Sequence, residues 1–219
     1  MSRVACHGAQ DIVLRHRVSQ THKSHRALPN QKAKLLEQQA DIGLIAACQQ
    51  GDARAFRHIY EIYRDRVFAL CRHMAGNRDD AEDLTQEVFI QAFRHVGSFR
   101  AESSFGTWLY RIAANRCMAE TRKRRPVFGD VTEIENVVPL SGGQNPEQEL
   151  VHKELVQRVE AAIASLPEGQ RLLFVLATQV GMKYRDIGQI VDCSEDAVKV
   201  RVHRARKRVR DMLKKYLDS

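Results

Sequence analysis

The sequence predicts an all-α protein: two small helical domains joined by a flexible linker, the second containing a helix-turn-helix. Three observations lead there. Apolar residues recur every three or four positions from Asp41 to about Arg122 and again from Leu155 onward, with no alternating strand pattern. Between these stretches, Pro126 to Pro146 carries Pro, Gly, Asn and Ser with only scattered apolar residues, the composition of a linker. Near the C-terminus two helical patterns, Tyr184 to Val191 and Glu195 to about Leu217, are parted only by Asp192, Cys193 and Ser194. That is helix-turn-helix spacing.

Taken in order, the basic stretch 1–40 lacks sustained periodicity and reads as a disordered extension. His16, His22 and His25 fall in it at no spacing that a carboxylate or thiol completes, so they read as solvated side chains rather than a metal site. The first domain is placed at 41–125. Ile42, Ile45 and Ala46 begin it, Gly51-Asp52 breaks the chain, and Ala55, Phe56, Ile59, Tyr60, Tyr63, Val67 and Leu70 follow on one helical face. Gly76-Asn77 is the next stop. Leu84, Val88, Ala92 and Val96 form the stripe of a third helix that Gly97 and Ser98 end, and after the loop 99–104 a fourth runs from about Phe105 to Arg122. The linker, placed at 126–148, can reach ~70 Å when extended. The second domain, 149–219, opens with Leu155, Val159, Ile163 and Leu166 on one amphipathic helix. Pro167 suits the first turn of the next helix, whose apolar run Leu172 to Ala177 ends near Gly181.

Composition bounds the function. The chain has 219 residues and a formal net charge of +8, which favours a polyanionic partner. The excess is concentrated at Arg122 to Arg125 and Lys199 to Arg210, which says more than the total does. Five scattered cysteines without CxxC pairing read as reduced thiols of a cytoplasmic protein, and no apolar run approaches a membrane span.

The last helix carries the clearest chemistry. Val198, Val202, Ala205 and Val209 lie within about 60° of one another at about 100° per residue, so they must face the core. Lys199, Val200, His203, Arg204 and Lys207 are then turned outward, with Ser194 placed as N-cap. Lys199 and Arg204 can donate to guanine edges, His203 to a base or phosphate, and Val200 can pack on a thymine methyl. Arg201 and Arg206, with Arg208 further on, flank that face and suit phosphates.

On the helix from Asp80, the residues Asp83, Gln86, Glu87 and Ile90 fall away from the Leu84 stripe. Acids around an exposed isoleucine suit a protein interface. A metal-dependent reading of Asp79, Asp80, Glu82 and Asp83 is poor, because consecutive acids on a helix point in different directions and no second ligand cluster exists. Downstream, Phe99, Phe105, Trp108 and Tyr110 mix with Arg100, Arg111, Asn115 and Arg116, a combination that can stack on and read unpaired bases. At least half of these aromatics are expected to be core.

These motifs resemble the extracytoplasmic-function (ECF) sigma factors of bacterial RNA polymerase. Asp80-Ala-Glu-Asp-Leu-Thr-Gln-Glu-Val-Phe is similar to the segment that grips core polymerase, Phe99 to Asn115 to the segment that melts and holds the minus-ten element, and Ala197 to Arg206 to the reader of the minus-thirty-five element. The resemblance implies core-polymerase binding by Asp80, Asp83, Gln86, Glu87 and Ile90. It implies minus-ten contacts by Phe99, Arg100, Ser104, Phe105, Trp108, Arg111, Asn115 and Arg116, the loop from Phe99 to Phe105 capturing a flipped base. Minus-thirty-five contacts fall to Lys199, Val200, Arg201, His203, Arg204 and Arg206. An anti-sigma factor as partner, no catalytic residue, no metal or cofactor, and no stable homo-oligomer are further implications. Two departures stand out: Val200 replaces a frequent serine, and Trp108 is followed by Leu109 where housekeeping relatives pair tryptophans. A repressor or activator would need a sensor or dimerisation domain that 41–125 does not offer.

Overall fold

Capping chemistry sets the helix boundaries. In a computed structural model, residues 42–124 and 146–217 are described, and among them the chain forms eight α-helices, a 3-10 turn and no strand. The tail 1–40, its histidines and most of the expected linker lie outside the described residues. Helix α1 (Ile42–Gln49) ends at Gly51, whose φ of 86° suits only glycine, and Asp52 then caps α2 (Ala53–Ala75) by accepting from the Arg54 N–H at 2.8 Å. α2 stops at Gly76, φ 90°, whose N–H returns to the Arg72 carbonyl. Asn77 caps α3 (Arg78–His95) from the next position, accepting from the Asp80 N–H at 2.9 Å. The 3-10 turn Val96–Ser98 and a loop lead to α4 (Phe105–Arg124).

The first bundle closes around α2. Phe56, Ile59, Tyr63, Val67 and Leu70 are buried on the face the spacing predicts, and their rings lock the neighbours: Phe56 on Phe93 and Tyr60 on Phe89 at 4.8 Å, Tyr63 edge-on to Phe105 at 5.6 Å. Burying each such side chain contributes about 1.5–3 kcal/mol. Cys48, Cys71 and Cys117 are also buried here, Cys71 and Cys117 with sulfurs 3.8 Å apart, and burial with the nearby Asp52 pushes the Cys48 thiol up to about 12. Cys48 is therefore a protonated packing residue.

The second bundle holds α5 (Pro146–Ala164), α6 (Glu168–Thr178), α7 (Tyr184–Val191) and α8 (Glu195–Leu217). α5 begins three residues before the expected domain start at 149, with Pro146 as its first residue. Leu155, assigned to a buried stripe from its spacing, is instead 47% exposed. The stripe begins one turn later, at the partly buried Val159, and its fully buried members are Ala162, Ile163 and Leu166, the last just beyond the helix. Pro167 precedes α6 as its cap rather than lying in its first turn. Gly181, φ 76°, ends the apolar run as predicted.

The two bundles meet. α2 packs on α5 and α6, and α4 packs on α7, so the buried apolar residues form one continuous cluster. At this seam Arg72 pairs with Glu160 at 3.9 Å, while Arg111 Nη2 donates to the Gln189 carbonyl at 2.5 Å. His73, in the last turn of α2, is held down to about 4, first by burial and then by the charges of Arg72 and of Arg171 from α6. Its ordinary value is 6.5, so the unfolded chain takes up the proton first and stability falls as pH drops from 6.5 towards 4. At pH 5 the loss traceable to His73 is about 2 kcal/mol. Thermal melts at pH 7.5 and pH 5 should show a larger acid loss for the wild type than for His73→Gln. Equal losses would remove His73 from the seam's acid sensitivity.

Candidate nucleic-acid interface

Helix α8 is aimed by the turn before it. Asp192 adopts the left-handed conformation with φ 52°, which Asp tolerates at modest cost, and the Cys193 N–H closes onto the Gly188 carbonyl at 3.0 Å. Ser194 Oγ then accepts from the Ala197 N–H at 3.2 Å, capping α8. Val198, Val202, Ala205 and Val209 are buried, as their spacing requires. Lys199, Val200, Arg201, His203, Arg204 and Arg206 are all exposed, Val200 at 48%, and form one open, mostly cationic face. Arg208, outside that face, donates to Gln170 Oε1 of α6 at 2.9 Å.

The α3 face differs in detail from a free acidic patch. Asp83 and Glu87 are exposed, whereas Asp80, Gln86 and Ile90 are half-buried. Asp80 closes the helix start, its carboxylate accepting from Asn77 Nδ2 at 2.5 Å. Glu87 forms an ion pair with Arg116 of α4. One expected polymerase contact and one expected minus-ten contact are thus each other's partners.

Between them lies the loop 99–104 and the start of α4. Phe99 is half-buried, its ring centroid 5.5 Å from both Phe105 and Trp108, which are themselves 5.3 Å apart. Phe105 is only 5% exposed and belongs to the core beneath the loop. Ser104 is exposed but works as the cap of α4: its Oγ accepts from the Thr107 N–H at 3.1 Å and shares a 2.8 Å bond with the buried Thr107 hydroxyl. Arg100, Arg111 and Asn115 are exposed, while Trp108 and Arg116 are half-buried.

Comparison with known proteins decides the family. Residues 59–127 match Sigma-70 region 2, and residues 156–209 match Sigma-70, region 4. The ECF RNA polymerase sigma factor SigW of Bacillus subtilis is 35% identical over 177 residues, covering 78% of this chain and 95% of the relative. The ECF RNA polymerase sigma-E factor of Escherichia coli K12 is 38% identical over 180 residues, covering 79% and 94%. The chain belongs to the ECF sigma factors. It is an alternative sigma factor that directs transcription by RNA polymerase.

Two solved structures share the sigma factor's fold. CnrH in complex with the cytosolic domain of CnrY gives a TM-score of 0.60 at 24% identity, covering 80% of this chain and 97% of that one. RpoE of Bartonella quintana in complex with the anti-sigma factor NepR gives 0.59 at 26% identity, covering 73% and 96%.

The sigma factor's structure gathers Phe99, Phe105 and Trp108 into one aromatic cluster, and Arg116 with Glu87 into an ion pair. It sets Arg111 against α7. The α8 face stands apart from these. Two residues with functional weight were not read from the sequence. Gln49 of α1 donates to the carbonyls of Val96 and Phe99 at the entrance of the loop, a contact across 47 and 50 positions that no local pattern signals. Gly188 lies in the helix-turn-helix, and a Cβ there would stand 2.5 Å from the Cys193 carbonyl oxygen. A glycine on the inner face of a short helix was the available signal for close backbone approach. Because backbone rather than a flexible side chain blocks the space, Gly188→Ala should force the turn open, lower the melting temperature by several degrees and weaken duplex binding by α8. Gln189→Ala, on the exposed side of the same helix, serves as the control. A Gly188→Ala protein with unchanged melting and DNA affinity would show that the turn can yield at no cost.

Proposed function

We propose that residues 41–125 carry core-polymerase and minus-ten binding and that residues 149–219 read the minus-thirty-five element. The observation that carries this reading is the division of α8: a fully buried aliphatic stripe opposite six exposed residues, five of them able to donate hydrogen bonds to bases or phosphates. A second surface supports it. Asp83 and Glu87 stand exposed on α3 beside the half-buried Ile90, which offers charge for orientation and apolar area for affinity.

The protein acts by binding and catalyses no reaction itself; the chemistry belongs to the polymerase. We place it in the cytoplasm, where its polymerase is, and assign it to a stress or envelope-signal response in keeping with its ECF relatives. No helix among the described residues is long and apolar enough to cross a membrane. Its regulator is an anti-sigma factor, as for the Bartonella neighbour solved with NepR. A surface on the second bundle suits such a partner: Phe174, Val209 and Leu213 line an apolar groove rimmed by Arg206, Arg210 and Lys214, a match for an amphipathic acidic helix.

Charge reversal tests the polymerase surface. Asp83→Lys with Glu87→Lys should abolish assembly with core enzyme while helical circular dichroism stays unchanged, because both side chains face away from Leu84 and Val88. Glu87→Gln, which removes one charge from this surface and frees Arg116, should weaken assembly far less than the double reversal, since a single exposed ion pair is worth about 0–1 kcal/mol. Co-elution of the double variant with core enzyme at wild-type affinity would refute the assignment.

The promoter-reading face is tested by two arginines. Arg204→Ala should cost roughly 1–3 kcal/mol at the cognate upstream element and relax base preference there. Arg208→Ala should weaken all sequences alike and lower the salt slope by about one. Binding-site selection reads both, and an unchanged sequence preference for Arg204→Ala would rule out this placement of the reading face.

A further inference from the structure

We propose that Gln49 is a positioning residue for promoter melting: its side-chain amide holds the loop 99–104 in the conformation that receives an extruded base. The proposal rests on the minus-ten binding proposed above for residues 41–125 and on the base capture that the resemblance implies for the loop from Phe99 to Phe105. Gln49 lies upstream of residues 59–127, the stretch matched to Sigma-70 region 2.

The geometry is that of a two-point clamp. Gln49 Nε2 donates to Val96 O at 3.1 Å and to Phe99 O at 3.0 Å, and Val96 O also receives the Phe99 N–H at 3.1 Å. Both carbonyls that launch the loop are thereby tied to α1. The clamp itself is anchored. Ile45 and Cys48 are buried, and the N–H groups of Gln50, Gly51 and Asp52 return to carbonyls of residues 46–48, so the end of α1 cannot swing freely.

At its far end the loop is held by Ser104 on Thr107. Between the two anchors Ala101 sits at a φ of 57°, a left-handed conformation that costs a non-glycine residue about 1–2 kcal/mol and persists only where the surroundings impose it. Phe99 is pinned against Phe105 and Trp108. Arg100, Ala101, Glu102 and Ser104 are what the loop then presents to solvent. A loop already in its receiving shape spares the ordering entropy that a free loop would lose on taking up a base.

Only a donor can make this clamp. Glutamate has nearly the same shape as glutamine but would set a carboxylate against two carbonyl oxygens, whereas lysine keeps donors at similar reach. With the full-length protein on core enzyme, promoter DNA carrying 2-aminopurine at the extruded position reports base capture by its fluorescence. Gln49→Ala should slow the signal about fivefold, as expected for losing roughly 1 kcal/mol of hydrogen bonding. Gln49→Glu should slow it more, and Gln49→Lys should return it to within about twofold, with core affinity unchanged throughout and the melting temperature lowered by no more than a few degrees. A loop with residues 100–103 replaced by glycine is the companion variant. If that loop loses the signal while Gln49→Ala and Gln49→Glu match wild type, the role of Gln49 is overturned and base capture by the loop stands. If the glycine loop captures the base normally, both are overturned. Equal losses in the Glu and Lys variants would make Gln49 a packing residue and overturn the proposal.

Discussion

Burial of the apolar stripe of α2 is the constraint on which the rest of the structure depends. A helix of 23 residues with nine buried side chains cannot hide them against one neighbour, so α3 and α4 must flank it and the second bundle must meet its end. Aromatic rings make the fit specific, because edge-on pairs such as Tyr60 with Phe89 and Tyr63 with Phe105 have preferred geometries that aliphatic contacts lack. Each ring contact also has a functional result. Placing Phe105 beneath the loop leaves Phe99 and Trp108 half-buried above it, and packing Phe89 and Val88 inward turns Asp83 and Glu87 out.

Three arginines on or beside these surfaces are already engaged within the protein. Arg116 pairs with Glu87, Arg111 with the Gln189 carbonyl, and Arg208 with Gln170. Exposed contacts of this kind are weak, so a phosphate or a partner's side chain can replace them at low cost. Exchange also couples the surfaces. In the proposed minus-ten role Arg111 would exchange the Gln189 carbonyl for DNA, which removes one contact of the seam between the bundles.

Legibility followed the range of the interactions. The turn signals Gly51, Asp52, Gly76, Asn77 and Ser194 were readable because a cap involves residues within four positions of one another, and the α8 reading face was readable because a 3.6-residue period fixes one side once the other is buried. Leu155 shows where periodicity misleads: it continues the stripe of Val159 and Ile163, yet nothing packs over it closely enough to bury it. Phe105 and Ser104 show what residue type alone does not reveal. Their residue types suit base stacking and base contact, but the former is core and the latter a helix cap.

What the sequence determined by itself is therefore local and facial: the helices, nearly all their ends, the turn before α8, and the side of each amphipathic helix that solvent sees. Tertiary structure alone decided which distant groups share a site. The reach of Gln49 to Val96 and Phe99, of Arg116 to Glu87 and of Arg111 to Gln189 spans 29 to 78 positions, and the closeness of the Cys193 carbonyl to Gly188 depends on how α7 enters the turn. Such distances are set by how whole helices pack around α2 and against one another, and a helical period carries no record of that.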